Sequence, residues 1–124
     1  MKVIYPALFT FEDNVYNVEF PDLEGCLTYG ESLEEAIMNA KEALSGYCGS
    51  ILERGSDLPK ASAISTIQTG DGFTSYIDAE PLFSDLSVKK TLTIPAWLNK
   101  RSEEVKAPYS KILQEGLMRY LKIV

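Results

Sequence analysis

The sequence contains no histidine, and only two of its 124 residues are cysteine. Without imidazole the chain lacks the commonest general acid/base and the commonest zinc ligand, so any catalysis would have to lean chiefly on carboxylates. Cys26 and Cys48 make no disulfide framework and stand in no metal-ligand spacing, which points to core thiols in a reducing cytoplasm. Long apolar runs are absent as well. The longest, Val3 to Phe9, is broken by Pro6 and falls far short of a membrane span; it also follows Lys2 too closely, and is too strand-like, to pass for a signal peptide. The expectation is a cytoplasmic protein with no membrane partner, no metal, no cofactor and no catalytic residues.

Positive charge is scarce over most of the chain and concentrated at its end. From Met1 to Leu86, four Lys and Arg stand against fifteen Asp and Glu, a net of −11; from Ser87 to Val124, eight stand against three, a net of +5, and together these make the −6 of the whole. An acidic body therefore carries a basic appendage. A basic module is the electrostatic footprint of phosphate binding, whereas an acidic body is repelled by nucleic acid and attracted to basic proteins. The appendage has 38 residues, too few to bury a core unaided, so if ordered it is expected to dimerise.

In the body, Val3 to Phe9 is rich in β-branched and aromatic residues, Glu12-Asp13-Asn14 offers turn chemistry, and Val15 to Phe20 alternates, with Tyr16, Val18 and Phe20 on one face. This predicts a hairpin, with Pro6 tolerated at a sheet edge. Pro21 to Gly25 breaks the second strand, and Cys26 to Tyr29 predicts a third running to Gly30. The period then changes. Ser32-Leu33-Glu34-Glu35 is a capping box, and apolar residues at Leu33, Ala36, Ile37, Ala40, Leu44, Tyr47, Cys48, Ile51 and Leu52 predict one long helix ending at Arg54 before Gly55. Asp57 to Gly72 reads as a loop with a short strand at Ala63 to Ile67, and Phe73 to Asp78 as a further strand. The order β-β-β-α-β is that of an α+β domain.

The appendage begins with Val88-Lys89-Lys90-Thr91-Leu92-Thr93-Ile94, which places Leu92 and Ile94 on one side of a strand and Lys89, Thr91 and Thr93 on the other. Pro95 ends that strand and can open a helix carrying Leu98 and Val105, with Trp97 beside them. Lys106-Ala107-Pro108 is a break, and a second helix follows with Ile112, Leu113, Leu117, Tyr120 and Leu121 apolar and Gly116 on the same face. One strand and two short helices make no stable monomer. Two copies can pair their strands into a ribbon and interlock their helices, which is a ribbon-helix-helix dimer whose ribbon fits the DNA major groove. Candidate base-reading residues are then Lys89, Thr91 and Thr93. Ser110 and Lys111, in the first turn of the second helix, suit a DNA phosphate.

Two stretches resemble a known family. Phe20-Pro21-Asp22-Leu23-Glu24-Gly25-Cys26 with Gly30-Glu31-Ser32-Leu33-Glu34-Glu35-Ala36 is similar to the HicB antitoxins. Thr93-Ile94-Pro95-Ala96-Trp97-Leu98-Asn99 with Tyr109 to Leu117 resembles the ribbon-helix-helix version of that family. The resemblance implies a partial ribonuclease-H-like domain over residues 1–80 without a working nuclease site, a linker at 81–87, and a ribbon-helix-helix domain over 88–124. It implies as partners a small basic HicA-type toxin that cleaves messenger RNA, operator DNA bound to repress the shared operon, and the chain itself as a homodimer or dimer of dimers. Operator contacts then fall on Lys89, Thr91 and Thr93, and toxin contacts include Asp22 and Glu24 in the loop after the second strand. Arg101 departs from the family at a position where an apolar residue is expected, and Gly116 stands where alanine is usual; glycine inside a helix costs roughly 1 kcal/mol.

Two other classes remain open on residues alone. Asp13, Asp22 and Asp78 could hold a divalent metal for nucleic-acid hydrolysis, although Asp13 and Asp22 stand where turns use Asp for local hydrogen bonds. A repressor with no protein partner would need only the appendage.

Overall fold

Ten residues, Val3–Glu12, form strand β1, which pairs antiparallel with β2 (Val15–Glu19) through a two-residue turn. Asp13 and Asn14 both take positive φ there, 54° and 65°, the left-handed geometry a tight hairpin demands and that Asp and Asn tolerate best. The computed structural model describes residues 1–84 and 86–122. Asp85 of the expected linker, and Ile123 and Val124 at the end of the expected appendage, lie outside the described residues. Strands β3 (Leu27–Gly30) and β4 (Phe73–Ala79) complete an antiparallel sheet of order β3-β2-β1-β4.

Pro6 does not lie on an edge strand, because β1 is central. The ladder with β2 starts only at Leu8, however, so at Pro6 the strand has β4 alone as neighbour, and a missing N–H is tolerated there.

Helix α1 (Leu33–Glu53) starts where the capping box places it: Ser32 Oγ accepts from the Glu35 N–H at 3.1 Å. Its buried face is Ala36, Ala40, Leu44, Cys48, Gly49 and Ile51, a stripe at helical spacing. Small residues at Ala36 and Ala40 bring the axis close to the sheet. Val3, Tyr5, Ala7 and Phe9 of β1, Val18 of β2 and Ile77 of β4 meet it from one sheet face, with Phe20 and Leu23 closing the core. Arg54 caps α1, and Gly55, at φ 78°, ends it as expected.

Residues 56–72 hold no strand. The expected strand at residues 63–67 is instead a 3-10 turn, Ile64–Thr66, which joins no ladder even though β3 and β4 each keep an open edge, because side chains hold the segment off the sheet. Tyr5 donates its hydroxyl hydrogen to the Pro59 carbonyl, Ser62 donates to Asp22, and the Ile64 N–H reaches the Tyr76 hydroxyl at 3.1 Å.

The backbone divides into two units, Met1–Ser84 and Asp85–Val124. In the second, α2 (Ala96–Glu104) follows Pro95 and α3 (Tyr109–Tyr120) follows Pro108, so each helix opens directly after a proline, where a missing N–H costs least. Lys106, at φ 52°, makes the turn between them. Residues 88–94, the expected strand, form no ladder among the described residues. No helix among the described residues is long and apolar enough to cross a membrane.

Candidate functional site

Among its described residues the second unit buries none. Leu92, Ile94, Leu98, Tyr109, Ile112, Leu117 and Met118 are all exposed, Leu98 and Met118 keeping 39% of their surface in water, and Leu113 is only half-buried. Leu92, Ile94, Leu98, Ile112 and Leu113 line a groove of about 630 Å³, with Lys90, Asn99, Ser102 and Ser110 at its polar margins. Folding two helices gains little if their apolar faces stay wet, so this surface calls for a partner.

The candidate phosphate and base contacts occupy one side of this unit's sequence pattern but not one cluster. Lys89 and Ser110 border a common groove with Val88, Gln114 and Leu117, while Thr91, Thr93 and Lys111 stand on open surface outside it. No side chain caps the N-terminus of α3, so its first-turn N–H groups, near Ser110 and Lys111, remain available to an anion. Sequence reasoning passed over Lys90, which borders both grooves. The signal was present in the alternation, which places Lys90 on the side of Leu92 and Ile94 rather than with Lys89. Arg101 sits exposed in the last turn of α2, where its charge favours the helix dipole.

The acidic residues of the body do not converge. Asp13 is at the hairpin tip. Asp22 accepts from the Ser62 N–H at 2.9 Å and from the Ser62 hydroxyl. Asp78 is paired with Lys2 and Lys41, both at 3.2 Å, and these two ammonium groups hold its carboxyl below the usual carboxylate value. No group of three His, Cys, Asp or Glu side chains able to hold a metal exists among the described residues.

The loop carrying the two expected toxin contacts is built as a plug. Phe20, Leu23 and Cys26 are buried, and the Leu23 and Cys26 N–H groups bond back to Phe20 and Leu23 carbonyls at 3.0 Å. Asp22 is thereby turned to Ser62 and does intramolecular work. Glu24 keeps its carboxylate in solvent while its carbonyl receives the Tyr47 hydroxyl at 2.7 Å. Cys26 and Cys48 are free and buried; burial first, then the neighbouring Cys48, pushes Cys26 up to about 11.

A family described as HicB-like antitoxins of bacterial toxin-antitoxin systems matches residues 5–109. An uncharacterised 14.9 kDa protein of Haemophilus phage HP1 is 31% identical over 108 residues, 82% of this chain and 80% of its own length. Among solved structures, a toxin-antitoxin complex from Streptococcus pneumoniae aligns over 97% of this chain and 99% of its own, with a TM-score of 0.64 and 29% identity. The Burkholderia pseudomallei antitoxin HicB shares the fold over 96% of this chain and 98% of its own, at a TM-score of 0.56 and 21% identity.

Proposed function

This chain belongs to the HicB-like antitoxin family, and from that premise we propose that it neutralises a HicA-type, RNA-cleaving toxin and, as a dimer, binds the operator of its own operon in the cytoplasm. The family is one of antitoxins, regulatory rather than enzymatic proteins, so the role asked of the acidic residues is recognition. The body, a partial ribonuclease-H-like domain in this reading, supplies the negative charge that attracts a basic toxin and covers its RNA surface. Opposite charge chiefly speeds and orients such association.

The observation that carries the reading is the wet apolar face of the second unit beside an unpaired strand-like segment. Residues 88–94 have the alternation of a ribbon strand but no ladder in one chain, and the groove lined by Leu92, Ile94, Leu98, Ile112 and Leu113 needs filling. A second copy meets both needs at once: strand pairs with strand, and the grooves close on each other as a ribbon-helix-helix. The paired ribbon then offers two sets of Lys89, Thr91 and Thr93 to base edges, flanked by phosphate contacts from Ser110 and Lys111. A dimer of dimers would engage two half-sites.

Two measurements test this. Co-expression with the small basic protein encoded beside this chain is expected to relieve that protein's toxicity and to co-purify the two; an untoxic or unretained neighbour overturns the antitoxin role. In gel shifts with the DNA upstream of its own gene, Thr91→Ala is expected to cost about 1–3 kcal/mol and relax sequence preference, and Lys89→Ala to weaken binding and alter its salt dependence. Unchanged binding by both removes these residues from the interface.

A further inference from the structure

Phe11 and Phe73 are large apolar side chains left in water, 61% and 43% exposed. Both point to the helix-covered side of the sheet, since Phe11 lies two residues beyond buried Phe9 and Phe73 is the cross-strand partner of Phe9. They are bare because α1 crosses diagonally. Its start sits over β3, where Asn39 donates to the Tyr29 carbonyl, and its later turns meet the far end of β4, where Lys41 pairs with Asp78 and Ser45 donates to the Glu80 carbonyl. The corner shared by the hairpin tip and the start of β4 is left uncovered.

That corner is paved with rings. Phe73 stacks on Phe9 at 5.0 Å and 4° between planes, and Phe11 meets Tyr16 at 4.7 Å and 48°. The entry to β4 is made for this stack: a Cβ on Gly72 would lie 2.2 Å from the Phe9 carbonyl oxygen, so only glycine lets the chain come close enough to lay Phe73 on Phe9. Asp13 in the hairpin turn and Asp71 before Gly72 adjoin this corner and are exposed, whereas Glu12, next to Phe11 in the strand, lies on the other face. The body places none of its own cations here. Residues 3–40 and 61–88 contain no Lys or Arg. Of the body's four, Lys2 and Lys41 are held by Asp78, five residues and about 17 Å along β4; Lys60 adjoins Pro59, which Tyr5 binds; and Arg54 caps the far end of α1.

We propose that this aromatic corner is the face on which the body receives its basic protein partner, with partner arginines lying over Phe11 and Phe73 and pairing with Asp13 and Asp71. The inference rests on the antitoxin reading above and names the face that reading leaves open. Rigid exposed rings ringed by carboxylates suit guanidinium groups on two counts, cation–π attraction at the face and ion pairing at the rim. The acidity that surrounds the corner disfavours a second copy of the same −11 body as its occupant.

The test titrates the full-length chain with the purified basic protein encoded beside it, by calorimetry and stopped-flow. Phe11→Ala is expected to weaken binding at least ~10-fold, Phe11→Trp to retain it, and Asp71→Lys to slow association and flatten its salt dependence. Glu80→Lys, beyond the opposite end of β4, is expected to change affinity far less. Phe11 and Asp71 are exposed, so these variants should keep the wild-type melting temperature. If wild type binds while Phe11→Ala and Asp71→Lys bind equally well, the corner is overturned and the antitoxin role stands. If wild type itself does not bind, the antitoxin role falls and this inference falls with it.

Discussion

Asp22 and Ser62 lie forty residues apart and are joined by two hydrogen bonds: the Asp22 carboxylate accepts from the Ser62 N–H at 2.9 Å and from its hydroxyl. The pair ties the loop after β2 to the long connection between α1 and β4. It also places Asp22 near Tyr5, whose hydroxyl is raised above its ordinary value by burial first, then by Cys48 and Asp22.

Asp22→Ala is therefore expected to act as a stability variant. Removing a partly buried carboxylate that takes two bonds should cost roughly 1–3 kcal/mol in urea unfolding and speed amide exchange at Ser62. An unchanged unfolding midpoint would show that the pair holds nothing.

Asp78 makes stability depend on pH in a stated direction. Hydrogen bonds from Lys2 and then Lys41 hold its folded value below the ordinary 3.8, so its contribution is present above that value and is lost as pH falls through the folded value. The melting temperature of Asp78→Asn should fall slightly below wild type at pH 7 and converge with it in acid. Because the pair is exposed, added salt should shrink the gap at pH 7.

Cys26 and Cys48 are expected to resist thiol reagents. With Cys26 at about 11 and Cys48 also raised by burial, almost no thiolate exists near pH 8. Ellman's reagent should find no accessible thiol in native protein and two after denaturation.

Gly49 is required by packing rather than by backbone angle. A Cβ there would lie 1.8 Å from the Leu82 carbonyl oxygen, where residues 80–84 run back against α1 and the Leu82 N–H bonds Ser45 at 3.0 Å. Gly49→Ala raises helix propensity yet should destabilise by about 1–3 kcal/mol, because backbone must move. A gain in thermal stability would show that the segment yields freely.

Much of the fold was legible because its signals are local. The capping box of Ser32 and Glu35, the 3.6-residue spacing from Ala36 to Ile51 and the alternation of Val15 to Phe20 each act within one element, and each element formed as read. The 63–67 segment went the other way. Its β-branched residues suit a strand, but bonds from Ser62 to Asp22 and from Ile64 to Tyr76 hold it as a turn, and which partners reach it depends on the tertiary fold and not on the segment itself. The edge assignment for Pro6 failed for the same reason.

The candidate sites divide along that line. The charge split, the lysines and threonines of residues 88–94 and the wet apolar faces of α2 and α3 follow from residue order alone, since no tertiary contact is needed to see that 38 residues cannot dry their own surface. The family resemblance likewise rested on short motifs. What only the tertiary structure decided is which carboxylates are occupied and which aromatics are bare: Asp22 is spent on Ser62, Asp78 on two lysines, and Phe11 and Phe73 stay in solvent because α1 crosses the sheet on a diagonal. Those outcomes depend on contacts between residues forty or sixty positions apart, and a helix's crossing direction is set by the packing of its small buried residues against the whole sheet, which no local pattern encodes.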